Sequence, residues 1–118
     1  MEAAARPLPL TTEPMAPSLD IGVQCLVGLV EVSLDGRLDE FTAEQAQHAL
    51  ERLLLDGATT IDVDCTELVE VDGFGLALLL DADLELRRRG GALVVRHPQR
   101  PVADRLADAG LERLLLVP

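Results

Sequence analysis

Beyond residue 20, hydrophobic side chains recur at two spacings that distinguish strands from helices. Alternation at every second residue, or a short apolar run between turn residues, predicts strands over 21–27, 29–34, 59–65 and 92–95. Apolar residues three and four apart predict helices between Thr42 and Asp56, over 76–89 and over 99–109. The apolar segment 114–117 is either a last strand or a short helix.

Strands that alternate with helices predict an α/β fold, in which helices pack on a sheet. The first two strands follow each other directly and should pair antiparallel, so the sheet is mixed. We therefore expect a single domain over 20–118, with four to five strands and at least three helices. Residues 1–19 hold four of the seven prolines, which block helices and remove backbone donors. This segment is predicted to be a disordered extension, with a partner-binding arm as the alternative.

Local signals locate the ends of several elements. The turn pair Asp35-Gly36 should end the second strand. Thr42 is predicted to cap the first helix, with Gln45 as its capping-box partner and Phe41 as a hydrophobic staple. A short loop at 66–67 should follow the third strand.

The composition narrows the chemistry that these 118 residues can carry out. All ten basic residues are Arg, so the chain has no Lys for a Schiff base or for a phosphate-binding P-loop. The net charge is −11 and the chain has two Phe but no Tyr or Trp, which argues against binding of nucleic acid or of an anionic membrane. No segment has the apolar length of a membrane span. The two Cys form no metal or disulfide framework, which favours a reducing, cytoplasmic compartment.

Two segments lie where a strand gives way to a helix, which is where open α/β sheets have their sites. The first is Gly36-Arg37-Leu38-Asp39, and the second is Asp72-Gly73-Phe74-Gly75. A structural role is available to Asp72 as the cap of the following helix, and to Asp39 as a solvated loop acid. The alternative is that both segments form a recognition surface. The ring of Phe74 would then be an exposed anchor for a partner rather than part of the core.

The remaining charged groups offer weaker candidates for a site. Arg37 is expected to form a surface ion pair with Asp39 or Asp72. Asp62 and Asp64 alternate on a predicted strand and are expected to be exposed, which argues against an Mg²⁺ site with Asp72.

Four stretches of the chain resemble, in order and spacing, the STAS family of sulphate-transporter and anti-sigma-factor-antagonist domains. They are Val32–Asp39, Thr60–Asp72, Gly75–Val95 and Val102–Leu114, and they span most of 21–118. In the first, Gly36-Arg37-Leu38-Asp39 resembles the family's Gly-Glu-Leu-Asp. The resemblance implies a cytosolic bacterial regulator that binds a GHKL-type anti-sigma kinase, so that a sigma factor is released.

The chain departs from the family in the loop that the kinase modifies. The family loop is Asp-Ser-Ser/Thr-Gly, and the hydroxyl directly before the glycine accepts the phosphate that abolishes binding. Asp72 and Gly75 match the ends of this loop, whereas Gly73 and Phe74 take the two hydroxyl positions. Neither side chain carries an oxygen, so we expect no phosphorylation there and no off-state created by the added negative charge.

The resemblance therefore predicts a non-enzymatic STAS regulator, without cofactor or metal, that docks on an anti-sigma factor kinase or another protein. The predicted partner-binding residues are Gly36, Arg37, Asp39, Asp72, Gly73, Phe74 and Gly75. Three acidic residues of the second helix are expected to extend this surface toward a basic partner face: Asp81, Asp83 and Glu85. One alternative is an accessory subunit that docks on the ATPase of a lipid-transport ABC complex. Another is a nucleotide-binding protein, against which the lack of a glycine-rich phosphate loop with Lys argues.

Overall fold

A four-stranded sheet and three helices make up the fold of the computed structural model, which describes residues 19–27 and 29–115. The strands are β1 (Leu19–Leu26), β2 (Leu29–Leu38), β3 (Thr60–Val71) and β4 (Ala92–Arg96). The helices are α1 (Ala43–Leu55), α2 (Gly73–Arg88) and α3 (Arg100–Asp108), followed by a 3₁₀ turn at Glu112–Leu114. The strands lie in the order β1-β2-β3-β4, with β1 antiparallel to β2 and the other neighbours parallel. The predicted α/β fold with a mixed sheet is confirmed.

The regular structure at the two ends of the domain differs slightly from the predicted bounds. Leu19 is already buried and pairs with Gly36, so β1 begins one residue before the predicted domain start. Residues 1–18, the rest of the predicted extension, lie outside the described residues. At the other end, Leu115 forms a parallel bridge with Val95, and 116–118 lie outside the described residues.

The two faces of the sheet differ in polarity because side chains alternate along each strand. Val32 pairs with Val63, and α1 and α2 both pack over this apolar face. The opposite face carries polar residues, including the neighbouring Glu31 and Asp62. Asp62 is 7% exposed rather than solvated as predicted, because it lies in the middle of the sheet and forms an ion pair with Arg96 of β4.

Strands β2 and β3 are both longer than predicted. Asp35-Gly36 does not end β2, because the strand continues to Leu38 with Gly36 at φ 124°, a positive value that favours glycine. The predicted loop at 66–67 is likewise part of β3, whose register against β2 shifts at two places. Gly36 and Arg37 therefore lie in a strand rather than in the predicted turn.

Asp83 is a charged residue on the buried face of α2. Its Oδ1 accepts a hydrogen bond from the N–H of Leu93 at 3.2 Å, on the strand at the edge of the sheet. Its Oδ2 accepts from Nε of Arg87 at 2.9 Å, and Nη2 of Arg113 lies 3.4 Å away. The side chain thus satisfies a backbone donor and is itself neutralised by two cations. Asp83 and Arg87 thus form an i,i+4 ion pair, and Asp83 is fully buried, so it does not extend a surface as predicted.

Candidate functional site

Asp72 connects the two segments that the sequence analysis selected. It is the N-cap of α2, and its Oδ1 accepts a hydrogen bond from the N–H of Gly75 at 3.0 Å. Its Oδ2 accepts another from the N–H of Glu40 at 3.0 Å, and its own N–H donates to the Leu38 carbonyl at 3.1 Å. One carboxylate therefore links the start of α2 to the turn before α1.

Asp39 organises that turn. Its Oδ1 accepts hydrogen bonds from the N–H groups of Phe41 at 2.9 Å and of Thr42 at 3.2 Å. Oγ1 of Thr42 accepts from the N–H of Asp39 at 3.0 Å and donates to the Arg37 carbonyl at 2.7 Å. The turn is held by its own side chains, so its backbone is fixed before any partner arrives.

The predicted capping box and staple of α1 are both wrong. Thr42 is the N-cap residue, but its hydroxyl is engaged in the turn and makes no capping bond. Gln45 instead donates to the Leu19 carbonyl at 2.7 Å and so ties α1 to β1. A staple would pack Phe41 on the residue four positions into the helix, which is the short Ala46, and the ring is 70% exposed.

Both Phe residues of the chain lie exposed at helix starts. Phe74 is 60% exposed in the first turn of α2, so of the two sequence-based alternatives it has the surface location. Phe41 precedes α1, on the turn that Asp72 contacts through Glu40. Phe41 was not predicted to lie on the surface, although the small size of Ala46 was the available signal. Exposed aromatic rings on adjoining loops are typical of protein-docking surfaces.

The two glycines at the start of α2 differ in their surroundings. Gly75 is buried, and a Cβ there would lie 2.7 Å from Cγ2 of Val71 and 2.8 Å from the carbonyl oxygen of Leu38. Gly73 is exposed, and a Cβ there would meet nothing within 4 Å. Gly75 thus lets the helix pack closely on β2 and β3, while Gly73 lies on the surface beside Phe74.

The carbonyl of Arg37 takes part in the turn before α1, but its side chain does not. The Arg37 side chain lies near Glu70, with Nε 3.6 Å from Oε1, and not near Asp39 or Asp72 as predicted. The reason is the register, which pairs Arg37 with Glu70 across β2 and β3.

Glu85 and Asp81, two acidic residues of α2, differ in how far their charges are free to interact with a partner. Glu85 is held by Arg88 and Arg89, whose hydrogen bonds keep the pKa of its carboxyl below the ordinary value. These two ion pairs leave little of the Glu85 charge for a partner. Asp81 is exposed.

The hydroxyl of Thr66, the nearest one in sequence to the start of α2, forms a hydrogen bond within β3. Oγ1 of Thr66 donates to Oδ1 of Asp64 at 2.6 Å, and the Thr66 N–H donates to the same oxygen at 3.0 Å. These bonds lower the pKa of the Asp64 carboxyl.

Within residues 19–27 and 29–115, no group of three or more His, Cys, Asp or Glu is arranged to hold a metal ion. The helices of this part of the chain lack the length and apolar character of a membrane span.

Solved structures share this fold at low sequence identity. The anti-sigma factor antagonist SpoIIAA of Bacillus, in its unphosphorylated form, gives a TM-score of 0.74 at 24% identity, over 82% of this chain and 86% of the other. A putative anti-sigma factor antagonist from Thermotoga maritima gives 0.75 at 17% identity, over 80% and 82%. An anti-sigma factor antagonist from Mycobacterium paratuberculosis gives 0.74 at 22% identity, over 89% and 87%. At these identities the likeness establishes the fold.

The sequence itself supplies the family. No curated protein matches the chain significantly. The family model described as "Mlab, STAS domain" matches residues 23–118, a range that includes the turn before α1 and the start of α2. Because this match covers most of the chain and agrees with the fold, the protein belongs to the STAS domain family.

Proposed function

We propose that this protein is a non-enzymatic bacterial regulator of the cytoplasm that binds a GHKL-type anti-sigma factor kinase and thereby frees a sigma factor. Membership of the STAS family, and a fold shared with anti-sigma factor antagonists, support this role. The observation that carries the proposal is the Asp72 carboxylate, which joins two helix starts that each present an exposed Phe. We call this surface the phenylalanine patch and define it as Asp39, Glu40, Phe41, Asp72, Gly73 and Phe74.

The patch combines rigidity with apolar and acidic groups. Carboxylate hydrogen bonds fix the backbone of both loops, so little ordering entropy is lost when a partner docks. The rings of Phe41 and Phe74 are the exposed apolar side chains of the patch, so their burial would release water, which makes them the expected anchors. The carboxylates around them favour a basic partner face.

The patch has no hydroxyl for the kinase to modify. Gly73 and Phe74 stand where the family carries hydroxyl residues, so binding is not switched off by phosphorylation at these positions. The protein then acts as a constitutive antagonist, controlled by its amount rather than by a phosphate.

Capture experiments with the immobilised full chain test this function. Wild type should retain an anti-sigma factor kinase, identified by mass spectrometry, and Phe74→Ser and Phe41→Ser should each weaken the purified complex. A loss of about 2 kcal/mol, or about a thirtyfold rise in Kd, marks an anchor residue. The control is Leu55→Ser, which removes a side chain that is 82% exposed and lies outside the patch. Equal weakening by all three variants would refute the assignment of the patch.

Phe74→Ser also tests the missing phosphosite. With kinase and ATP, wild type should keep its mass, whereas the variant presents a hydroxyl directly before Gly75 and should gain one phosphoryl group. A phosphoryl group on residue 73 or 74 of wild type is chemically impossible, so phosphate found elsewhere would show a different control site. An ABC ATPase as the main captured protein would instead support the lipid-transport alternative and overturn the sigma-factor role.

A further inference from the structure

An apolar groove runs between α1 and α2 and begins beside the phenylalanine patch. Its volume is about 350 Å³, and we call it the helix groove. It is lined by Ala43, Gln47, Leu50, Glu51 and Leu54 of α1 and by Phe74, Ala77, Leu78, Asp81 and Ala82 of α2. Leu50 and Ala82 are buried at its floor, while Leu54 and Leu78 are half-buried and Ala77 is exposed. Phe74 thus belongs to both surfaces.

The charges around the groove have one sign. Glu51 contributes a carboxylate from α1 and Asp81 one from α2, and both side chains are exposed. Gln47 donates a hydrogen bond to Glu51 at 3.2 Å, and no Arg is among the lining residues described. An apolar floor between two acidic edges complements a ligand with an apolar stripe flanked by cations.

The backbone chemistry of the groove favours a helix as the occupant. The groove walls are α-helices, whose own backbone groups are already hydrogen-bonded, so they offer no ladder to an extended peptide. An extended peptide would therefore bury unpaired N–H and C=O groups, whereas a helix satisfies its own. The lining positions of α1 extend from Ala43 to Leu54, which at about 1.5 Å per residue gives about 16 Å, or three helical turns.

We propose that the helix groove binds an amphipathic helix of the partner protein, with an apolar stripe that enters the groove and Lys or Arg on both sides that face Glu51 and Asp81. This inference deepens the proposed function and rests on it, because it names the segment that the partner brings to Phe74. The patch and the groove then form one continuous surface, with Phe74 at their junction.

A fluorine experiment on the full chain tests the groove without the natural partner. The chain has two Phe, so incorporation of 4-fluorophenylalanine gives one ¹⁹F signal for Phe74, in the groove, and one for Phe41, outside it. The probe is a synthetic helix of Leu, Ala and Lys, about four turns long, with Leu at i, i+3, i+4 and i+7 spacing. We expect saturable broadening or shift of the Phe74 signal, with a smaller change at Phe41. A scrambled peptide of the same composition should bind at least about tenfold more weakly.

Charge reversals identify the groove as the binding site. The double variant Glu51→Lys with Asp81→Lys should raise the Kd for the synthetic helix at least about tenfold. The matched control, Asp108→Lys with Glu112→Lys, makes the same change of net charge at two exposed positions outside the groove and should change the Kd less than about threefold. Circular dichroism and thermal unfolding check that both variants are folded.

Several outcomes would overturn the proposal. They are equal effects of the two double variants, equal binding of the scrambled peptide, or equal responses of the two fluorine signals. A Phe74 signal that depends on protein concentration before peptide is added would assign the groove to a second copy of the chain. Binding of the synthetic helix with no capture of a kinase would retain the groove and refute the sigma-factor role, so the two failures are distinguishable.

Discussion

At the scale of single residues, the donors around a carboxylate decide what that carboxylate does. Asp72 meets two backbone N–H groups from different segments and becomes a link between loops. Asp83 accepts a hydrogen bond from the N–H of Leu93 and lies beside the side chains of Arg87 and Arg113, so it stabilises the interior. Asp81 has no such neighbours among the described residues and keeps its charge for a partner. Residue type alone did not separate these three acids.

Replacement of Asp72 tests its role as a link. Asp72→Ala removes the cap of α2 and leaves the Glu40 N–H without its acceptor, so the free energy of unfolding should fall by about 1–3 kcal/mol. Asp72→Asn keeps one carbonyl acceptor and should lose less. Urea unfolding of the two variants makes the comparison, and an unchanged midpoint for Asp72→Ala would contradict the assigned role.

The two cysteines should differ in reactivity and in their effect on alkaline stability. Burial raises the pKa of the Cys65 thiol to about 12, whereas Cys25 is exposed. At about pH 8, a thiol reagent should therefore modify one thiol in the native protein and two after unfolding in denaturant. Rapid modification of both in the native state would contradict the burial of Cys65.

The raised pKa also fixes the sign of the pH dependence. The contribution of Cys65 to stability is complete below the ordinary thiol pKa of 9.0 and is lost as pH rises towards about 12, because the unfolded chain releases the proton first. The chain has no Lys and no Tyr, so few other side chains titrate in this window. Between about pH 9 and 11, the free energy of unfolding should fall as the pH rises, and should fall less steeply in Cys65→Ala.

At the scale of elements, the helix starts and strand ends carry the site. The register of β2 against β3 brings Leu38 beside Val71, so the two strands end together and their following loops meet. The shifts in that register let β3 reach this point with more residues than β2 uses. The close approach of α2 to both strands then depends on Gly75, which has no side chain to separate them.

Gly73 and Gly75, which have one residue between them, provide a matched test of that approach. Gly75→Ala introduces a Cβ within 2.8 Å of Leu38 and Val71 atoms, and should destabilise the fold by about 1–3 kcal/mol despite the better helix propensity of Ala. Gly73→Ala adds the same methyl group in open space at the helix start and should be neutral or stabilise by up to about 1 kcal/mol. Thermal unfolding of both variants measures the difference, and equal midpoints would show that α2 is not held closely at Gly75.

At the scale of the whole molecule, charge and shape act together. The net charge of −11 creates repulsion within the chain and attracts basic partners over distances set by the ionic strength. Attraction between charges supplies no apolar contact, and we expect the phenylalanine patch and the helix groove to supply it. The expected partner is therefore selected by charge and retained by burial of apolar surface.

Salt should affect the stability of this protein through its net charge. Raising NaCl from about 10 mM to about 300 mM screens the repulsion and should raise the melting temperature by a few degrees. The double variant Glu51→Lys with Asp81→Lys, whose net charge changes from −11 to −7, should show a smaller rise. A melting temperature that falls with salt would mean that favourable ion pairs outweigh the repulsion.

The sequence by itself determined the elements and the fold class. In the part of the chain that the structure describes, apolar spacing identified the four strands and three α-helices, although not the full lengths of β2 and β3, because the period of burial is a local property of the chain. The cap at Asp72 was also predictable, since a helix start needs an acceptor close in sequence. The same local reasoning failed for the capping box at Thr42, where Gln45 bonds to Leu19, a residue far away in the sequence.

The tertiary structure alone decided which of the candidate residues are exposed. The Glu40–Asp72 bond, the burial of Asp83 and the exposure of both Phe rings follow from how strands align and helices pack. Such contacts join residues about 30 positions apart, and no local pattern encodes which of the many acids and apolar residues will meet. The sequence thus predicted a recognition surface at two helix starts, and packing decided which of its residues are exposed, because exposure depends on neighbours supplied by the rest of the chain.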